Sequence, residues 1–350
     1  MSCPASAKRE GSGIHSVKKA LDLYEMDSLP LAAYRRSAGK DKCLYLNAFR
    51  SNASAEAPWP IGADRNLSYS PATSAFGQGH MTARNGAFST SDGCSIFYSL
   101  RAARNGLGPR LVLIHSLALD RSVWDGVTEQ LAGQAEILSY DARGHGQSGR
   151  PHMDYTVELF ARDLAELMDH VGWSDATIAG CSMGGCVAQA LAGIYPGRAR
   201  ALALIDTTAW YGPEAPKQFR ERAAAAEAKG MGGLIDFQVQ RWFSDNWREA
   251  NAERVKRATQ VFLNNDFACY AASCALLGDA DLRHYLPAFK MPVSIVVGEE
   301  DYATPVAMAR ALHEAIPQST LKIIAGGRHL TPIQCPYEIA GEISRLMERV

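Results

Sequence analysis

The chain has 350 residues, of which 47% are hydrophobic, and its formal net charge at neutral pH is −1. This length is enough for one large domain and an additional segment, and the balanced charge argues against binding to nucleic acid or to an anionic membrane surface. No apolar run approaches the roughly 18 residues of a membrane span. The eight cysteines are scattered without disulfide or zinc spacing, and this predicts a reducing, cytoplasmic environment.

Residues 1–80 differ in composition from the rest of the chain. Residues 51–80 are dense in Ser, Ala, Pro, Gly and Asn and show little apolar periodicity, so we expect a largely disordered extension. Met81 directly precedes the first strand signal, which predicts a functional domain over residues 81–350. The alternative is a regulatory or targeting extension. The acidic residues of this segment argue against an organelle presequence, and the lack of an apolar stretch argues against a secretory signal.

Strand and helix patterns alternate from residue 86 onward. The first strand signal is Phe88–Asp92, and Asp92-Gly93 predicts a hairpin turn to a second strand. The following elements are predicted as strands at 110–115, 135–140 and 175–180 and as helices at 122–132 and 156–171. Such alternation predicts a mostly parallel sheet that helices cover on both faces.

The stretch Gly180-Cys181-Ser182-Met183-Gly184 joins the strand 175–180 to a helix-prone run, 185–195. A Gly-x-Ser-x-Gly pattern at such a junction predicts a nucleophile elbow, with Ser182 as the nucleophile. The glycines allow a turn so tight that a Cβ atom would collide with the neighbouring strand or helix. The serine hydroxyl would then lie at a helix N-terminus, where a developing negative charge is stabilised.

An oxyanion hole needs two backbone N–H donors near that serine. One is expected from Met183, the residue after the nucleophile, and the other from Leu117, in the loop that follows the strand 110–115. His115 lies at the end of that strand, where we expect it to orient the loop by hydrogen bonding rather than to act in catalysis.

Residues 209–290 interrupt the alternation after a strand at 200–206. A segment of this length is not a bare loop in a compact domain, and its sequence predicts helices at 218–229, 234–243, 252–264 and 267–277. We expect a helical lid over the carboxyl edge of the sheet, with Trp242 among the aromatic residues that contact substrate.

The sheet is predicted to resume with strands at 292–298 and 320–325. Asp301 and His329 follow these strands directly, so both would lie at the edge where open α/β sheets bind ligands. His329 would take the serine proton, and Asp301 would orient the imidazole. Asp206, which ends an earlier strand, is the rival acid; the sharper Gly-x-x-Asp turn favours Asp301.

These motifs resemble those of the α/β-hydrolases, and within them the 3-oxoadipate enol-lactonases, over about residues 86–350. The general hydrolase motifs are the elbow, the two loops that carry Asp301 and His329, and 141–148, which reads Asp-Ala-Arg-Gly-His-Gly-Gln-Ser. The closer match to the lactonases lies at 241–243, 270–275, 279–283 and 298–305. The chain departs from that family at Cys181 and at Arg328, where other residue types are more usual.

The resemblance implies an acyl-enzyme mechanism without a metal or organic cofactor, acting on a small enol-lactone from the degradation of aromatic compounds. Such a substrate carries a carboxylate that needs a cation, for which Arg121 and Arg328 are the candidates. A general carboxylesterase and a carbon–carbon bond hydrolase are alternatives. A non-catalytic ligand-binding homologue is the alternative of a different class; the ordered serine, acid and histidine argue against it. The sequence makes no prediction about the oligomeric state.

Overall fold

The computed structural model describes residues 83–104 and 106–350. The predicted disordered extension, residues 1–80, and the predicted start of the domain at Met81 lie outside the described residues. Within the described part of the chain, every helix is too short or too polar to cross a membrane.

An eight-stranded sheet forms the centre of the described domain, in the order β1-β2-β4-β3-β5-β6-β7-β8. The strands are β1 (Arg84–Ser89), β2 (Ser95–Arg101), β3 (Arg110–Ile114), β4 (Glu136–Tyr140), β5 (Ala176–Cys181), β6 (Ala199–Ile205), β7 (Val293–Gly298) and β8 (Thr320–Ile324). Strand β2 pairs antiparallel with β1 and with β4, and the other pairs are parallel. This is the predicted mostly parallel sheet.

Helices cover both faces of this sheet, which is why its central strands are buried along their whole length. Every residue of β5 and β7 is buried, whereas the edge strand β1 alternates between exposed and half-buried residues. The core helices are α1 (Asp125–Gln130), α2 (Val157–His170), α3 (Met183–Ile194), α9 (Val306–Ala315), α10 (Thr331–Gln334) and α11 (Pro336–Met347).

A helical insert, residues 209–290, separates β6 from β7 and is described throughout. It contains α4 (Ala215–Lys229), α5 (Ile235–Trp242), α6 (Asp245–Ala250), α7 (Ala252–Leu263) and α8 (Phe267–Asp279), and α4 packs against α8. The short helix α6 was not predicted because it buries none of its residues and therefore has no apolar periodicity.

The first strand is placed differently from its prediction. It ends at Ser89 rather than at Asp92, because residues 90–94 form the turn to β2. The Thr90 N–H donates to the Cys94 carbonyl (2.9 Å), and the Gly93 N–H donates to the Thr90 carbonyl (2.9 Å). Local turn hydrogen bonds therefore end this strand at Ser89, and the strand begins at Arg84, four residues before the predicted start.

Candidate active site

Ser182 lies on a strained turn between β5 and α3. Its φ angle is 55°, in the left-handed region that residues with a Cβ rarely adopt. The glycines on either side make the turn possible: a Cβ at Gly180 would lie 2.1 Å from the Gly184 carbonyl oxygen, and a Cβ at Gly184 would lie 2.3 Å from the Ile114 carbonyl oxygen. The close packing of strand and helix therefore needs glycine at both positions.

Three side chains from distant parts of the sequence form one hydrogen-bonded chain. The Oγ of Ser182 lies 3.0 Å from Nε2 of His329, and Nδ1 of His329 lies 2.8 Å from Oδ2 of Asp301. All three residues are buried. In the neutral ring, Nδ1–H donates to the carboxylate and Nε2 accepts the serine proton, which is the tautomer that a general base requires.

The Asp301 carboxylate is held in place by its own turn as well as by His329. Oδ1 accepts hydrogen bonds from the N–H groups of Ala303 (2.7 Å) and Thr304 (2.9 Å), and Oδ2 accepts one from the Thr304 hydroxyl (2.8 Å). Burial alone would raise the pKa of Asp301, but His329 and the Thr304 hydrogen bonds outweigh it and hold this pKa below its usual value. The carboxylate is therefore ionised at neutral pH.

Asp206, the rival acid, is bonded elsewhere. Its Oδ1 accepts a hydrogen bond from the Gly298 N–H (3.1 Å), and its Oδ2 accepts bonds from the Thr331 N–H (2.9 Å) and hydroxyl (2.7 Å). These bonds tie the end of β6 to the loops that carry Asp301 and His329. The geometry therefore favours Asp301 as the partner of the histidine and gives Asp206 a structural role.

The two predicted oxyanion donors are both buried, and Leu117 lies in the wall of the cavity beside Ser182. Within the described part of the chain, neither the Leu117 nor the Met183 N–H has a hydrogen-bond acceptor. His115 supports this loop: its Nδ1 lies 2.8 Å from the Ser116 carbonyl oxygen, and its Nε2 accepts a bond from the Ala142 N–H (2.9 Å). His115 thus orients the loop, as predicted.

A small cavity lies above Ser182, between the core and the helical insert. Leu117 and His329 line it on the core side, and the residues that line it from the insert are Tyr211, Phe219, Arg222, Gln238, Arg241 and Trp242. Its free volume is about 20 Å³, which is room for a single water molecule. An organic substrate therefore enters only if the insert or its side chains move.

Neither arginine predicted to bind substrate lines this cavity in the described structure. The guanidinium of Arg121 donates to the Asp141 carboxylate (2.5 Å) and stacks 4.4 Å from the Phe97 ring. Arg328 forms ion pairs with Glu300 and Asp245 at 3.1 Å each. The prediction for these two residues is therefore corrected: each guanidinium is already used within the protein.

Two other arginines, Arg222 and Arg241, line the cavity, and sequence reasoning missed both. Among the described residues, neither guanidinium has a carboxylate within 4.0 Å; Arg222 donates to the Tyr270 hydroxyl (2.8 Å). Burial and the neighbouring Arg222 lower the pKa of Arg241 to about 10, so it remains charged at neutral pH. The two side chains therefore place positive charge opposite Ser182 without a directly contacting carboxylate in the described residues.

A signal for these arginines exists in the helical periodicity. Arg222 lies three residues after Phe219 and four before Ala226, so it shares the buried stripe of α4. Arg241 likewise follows the buried Gln238 by three residues on α5. A charged residue on the buried stripe of a helix in the insert is therefore the sequence pattern that could have indicated these two residues.

One group of described residues has the composition of a metal site. The potential ligand atoms of His152, Asp266 and Cys269 lie within 4.8 Å of one another. The Asp266 carboxylate also caps α8 by accepting a hydrogen bond from the Cys269 N–H (2.9 Å) and lies 3.2 Å from the His152 ring. None of the three lines the cavity beside Ser182.

Comparison with known proteins gives two similar enol-lactonases. The chain is 29% identical over 241 residues to the 3-oxoadipate enol-lactonase 2 of Acinetobacter baylyi, an alignment that covers 69% of this chain and 89% of that protein. The structure matches that of the enol-lactonase from Burkholderia xenovorans with a TM-score of 0.72 and 30% identity, over 75% of this chain and 100% of that one.

An esterase is almost equally similar. The structure of a thermophilic esterase from Thermogutta terrifontis, with malate bound, matches with a TM-score of 0.70 and 28% identity, over 76% of this chain and 98% of that one. The family profile described as the alpha/beta hydrolase fold matches residues 109–336, which include Ser182, Asp301 and His329. Sheet order, strained serine turn and sequence match agree, and the chain belongs to the α/β-hydrolase family.

Proposed function

We propose that this protein is a serine hydrolase that cleaves an ester or lactone bond through an acyl-enzyme. The observation that carries the proposal is the hydrogen-bonded chain from Ser182 through His329 to Asp301. A serine hydroxyl is a weak nucleophile at neutral pH and needs a base within hydrogen-bond reach. The 3.0 Å contact to Nε2 of His329 supplies that base in the required orientation.

In the first step, Ser182 Oγ attacks the carbonyl carbon of the substrate while His329 takes the serine proton. Asp301 remains ionised and stabilises the imidazolium that forms. The N–H groups of Leu117 and Met183 donate to the oxyanion of the tetrahedral intermediate, and the N-terminus of α3 adds a favourable dipole. The intermediate collapses to an acyl-enzyme, and the imidazolium returns its proton to the leaving oxygen.

In the second step, His329 activates a water molecule that attacks the acyl carbon. The same two N–H groups stabilise the second oxyanion, and Ser182 leaves with the proton that His329 returns. For a lactone, the acyl and leaving groups belong to one molecule, so the acyl-enzyme keeps the opened chain until water releases it. An enol leaving group then relaxes to a ketone, which makes ring opening effectively irreversible.

The substrate of this site is proposed to carry a negative charge. Arg222 and Arg241 face the cavity without a carboxylate partner among the described residues. The amide of Gln238, which is fully buried, also lacks a hydrogen-bond partner in the described chain. Because a buried polar group without a partner is destabilising, these groups fit a ligand that brings its own acceptors. A carboxylate can accept from both guanidinium groups at once.

A small carboxylate-bearing enol-lactone of the 3-oxoadipate type matches these features. Its ring ester would lie against Ser182, and its free carboxylate would reach the insert side of the cavity. The similarity to two proteins described as enol-lactonases supports this substrate class. A general carboxylesterase is the second candidate, because the Thermogutta terrifontis esterase is nearly as similar.

The test measures kcat/KM for 3-oxoadipate enol-lactone, for its methyl ester and for p-nitrophenyl acetate. We expect the free acid to be preferred over its methyl ester by about 1–3 kcal/mol, the worth of a hydrogen bond to a charged group. Arg222→Gln and Arg241→Gln should each reduce that preference. Arg220→Gln is the matched control, because Arg220 lies on the same helix as Arg222 but is exposed.

Equal kcat/KM values for the free acid and the methyl ester in the unsubstituted protein would exclude the enol-lactone substrate and leave the general esterase. Loss of the preference in the Arg220 variant would show that bulk charge, rather than the cavity arginines, selects the acid.

A further inference from the structure

Arg328 precedes the catalytic histidine and reaches into the helical insert. Its side chain is 17% exposed, and its Nη1 donates to the carbonyl oxygens of Gln240 (2.8 Å) and Phe243 (3.1 Å) at the end of α5. The last carbonyls of a helix lack partners within the helix and carry a partial negative charge. The guanidinium therefore caps the helix that carries Arg241 and Trp242 into the cavity.

The same guanidinium also contacts the loop that carries the catalytic acid. Its Nη2 donates to the Glu300 carboxylate (3.1 Å), one residue before Asp301, and its Nη1 lies 3.1 Å from the Asp245 carboxylate at the start of α6. The planar guanidinium of Arg328 thus joins the histidine loop (residues 326–334), the acid loop (residues 299–304) and the insert. A lysine has a single charged nitrogen and lacks the fork that spans such partners.

Further hydrogen bonds join the histidine loop to the insert beside Arg328. The Leu330 N–H donates to the Trp242 carbonyl oxygen (3.1 Å). The side-chain amide of Gln334 donates to the Ser244 hydroxyl (2.8 Å) and to the Gly326 carbonyl oxygen (2.8 Å). Residues 326–334 are therefore bonded to the insert on both sides of His329.

The small cavity beside Ser182 connects these hydrogen bonds between residues 326–334 and the insert with substrate entry. Because its free volume is about 20 Å³, substrate entry requires the insert or its side chains to move away from Ser182. A movement of the insert would break the hydrogen bonds from Arg328, the residue next to His329, to Gln240 and Phe243. We propose that Arg328 is a positioning residue that couples the closed state of the insert to the placement of His329. The inference rests on the proposed function, and it implies that His329 is held in position as a base when the insert closes over bound substrate.

The test compares Arg328→Gln with Arg248→Gln in the full chain. Arg248 also binds Asp245 (2.6 Å) in the insert but is not bonded to the histidine loop, so it is the matched control. Arg328→Gln should lower kcat by about 10- to 100-fold for both the enol-lactone and p-nitrophenyl acetate, because a displaced base slows every substrate. KM should change much less. Arg248→Gln should leave kcat unchanged.

Conservative variants distinguish positioning from simple support of the fold. Arg328→Lys keeps the charge and should recover part of the lost kcat, since lysine reaches only some of the partners. Glu300→Gln keeps Arg328 and its contacts with the insert but weakens the contact with the acid loop, so a smaller fall in kcat is expected. A loss confined to the anionic substrate would show that Arg328 binds the carboxylate and would overturn the proposal.

Hydrogen exchange tests the coupling without any activity. In the full-length Arg328→Gln variant, protection should fall together in residues 235–245 and 326–334, whereas Arg248→Gln should leave 326–334 protected. Unchanged protection of 326–334 in Arg328→Gln would refute the coupling. If the unsubstituted protein hydrolyses neither the enol-lactone nor p-nitrophenyl acetate, the proposed function fails. The exchange result still decides whether Arg328 links residues 235–245 to residues 326–334.

Discussion

His115 and His145 lie with their ring centroids 5.1 Å apart near the oxyanion loop, and both are buried. The Nδ1 of His145 lies 2.9 Å from the Arg143 carbonyl oxygen, and the hydrogen bonds of His115 require one donor and one acceptor nitrogen. Burial lowers the pKa of His115 and lowers that of His145 to about 3. Both rings are therefore neutral: His115 supports the loop that carries Leu117, and His145 packs against the His115 ring, in contrast to His329, which is proposed to exchange protons.

The buried histidines predict the pH dependence of stability. The unfolded pKa of histidine is about 6.5, whereas that of folded His145 is about 3, so the unfolded chain binds more protons between these values. Stability from this group is complete above about pH 6.5 and is lost as the pH falls toward 3. Urea unfolding at pH 7 and pH 5 should show the loss, and His145→Asn should make it smaller. The exposed His284→Asn is the control, and an equal slope in both variants would contradict the assignment.

The elbow is the element that sets the geometry of the site. Strand β5 and helix α3 approach so closely that the backbone of Gly180 contacts that of Gly184, and the turn forces Ser182 to a φ angle of 55°. The energy of this strained conformation is compensated by the buried strands and by the hydrogen bond from the Ser182 N–H to the Ile205 carbonyl oxygen (2.9 Å). Packing of two regular elements therefore holds one side chain at the edge of the sheet.

Gly180→Ala tests this role of the elbow. The new Cβ would lie 2.1 Å from the Gly184 carbonyl oxygen, so the strand and the helix must separate. We expect the free energy of unfolding to fall by about 1–3 kcal/mol. Hydrolysis should fall as well, because Ser182 moves with the turn. In Gly341→Ala, within α11, the nearest atom is 3.6 Å away, and the change should be neutral or slightly stabilising. Similar melting temperatures for the two variants would refute the close-packing argument.

Elements with strong local signals could be predicted from the sequence, and those selected by tertiary contacts could not. The elbow and the turns after β7 and β8 follow local glycine patterns, so Ser182, Asp301 and His329 were predicted by position. The sequence analysis predicted Arg121 and Arg328 as the arginines that bind substrate, because these residues lie near the expected loops in sequence. Their guanidinium groups are instead held by Asp141 and Glu300. The buried stripes of α4 and α5 indicate that Arg222 and Arg241 point inward, but only the packing of these helices determines that they face the cavity.

Across the whole molecule, the parallel sheet brings distant residues to one edge. Leu117, Ser182, Asp301 and His329 follow the carboxyl ends of β3, β5, β7 and β8, and neighbouring parallel strands end side by side. The helical insert follows β6 at the same edge and lines the cavity opposite Ser182. All proposed catalytic and binding groups therefore belong to the described residues.

A chain that begins at Met81 is accordingly expected to retain the fold and the hydrolytic activity. It includes every strand of the sheet, the whole insert and all the proposed site residues. Thermal unfolding and kcat/KM of this shorter chain should match those of the full chain. A marked fall in melting temperature or kcat on truncation would show that residues 1–80 contribute to the domain.

Covalent labelling with a fluorophosphonate tests whether Ser182 is an activated nucleophile. Mass spectrometry of the labelled full chain should show one adduct, on the peptide that contains Ser182. Ser182→Ala should abolish the adduct and lower kcat by roughly 10⁴-fold or more, whereas Cys181→Ala should keep both. An unlabelled protein, or an adduct that persists in Ser182→Ala, would show that Ser182 is not an activated nucleophile.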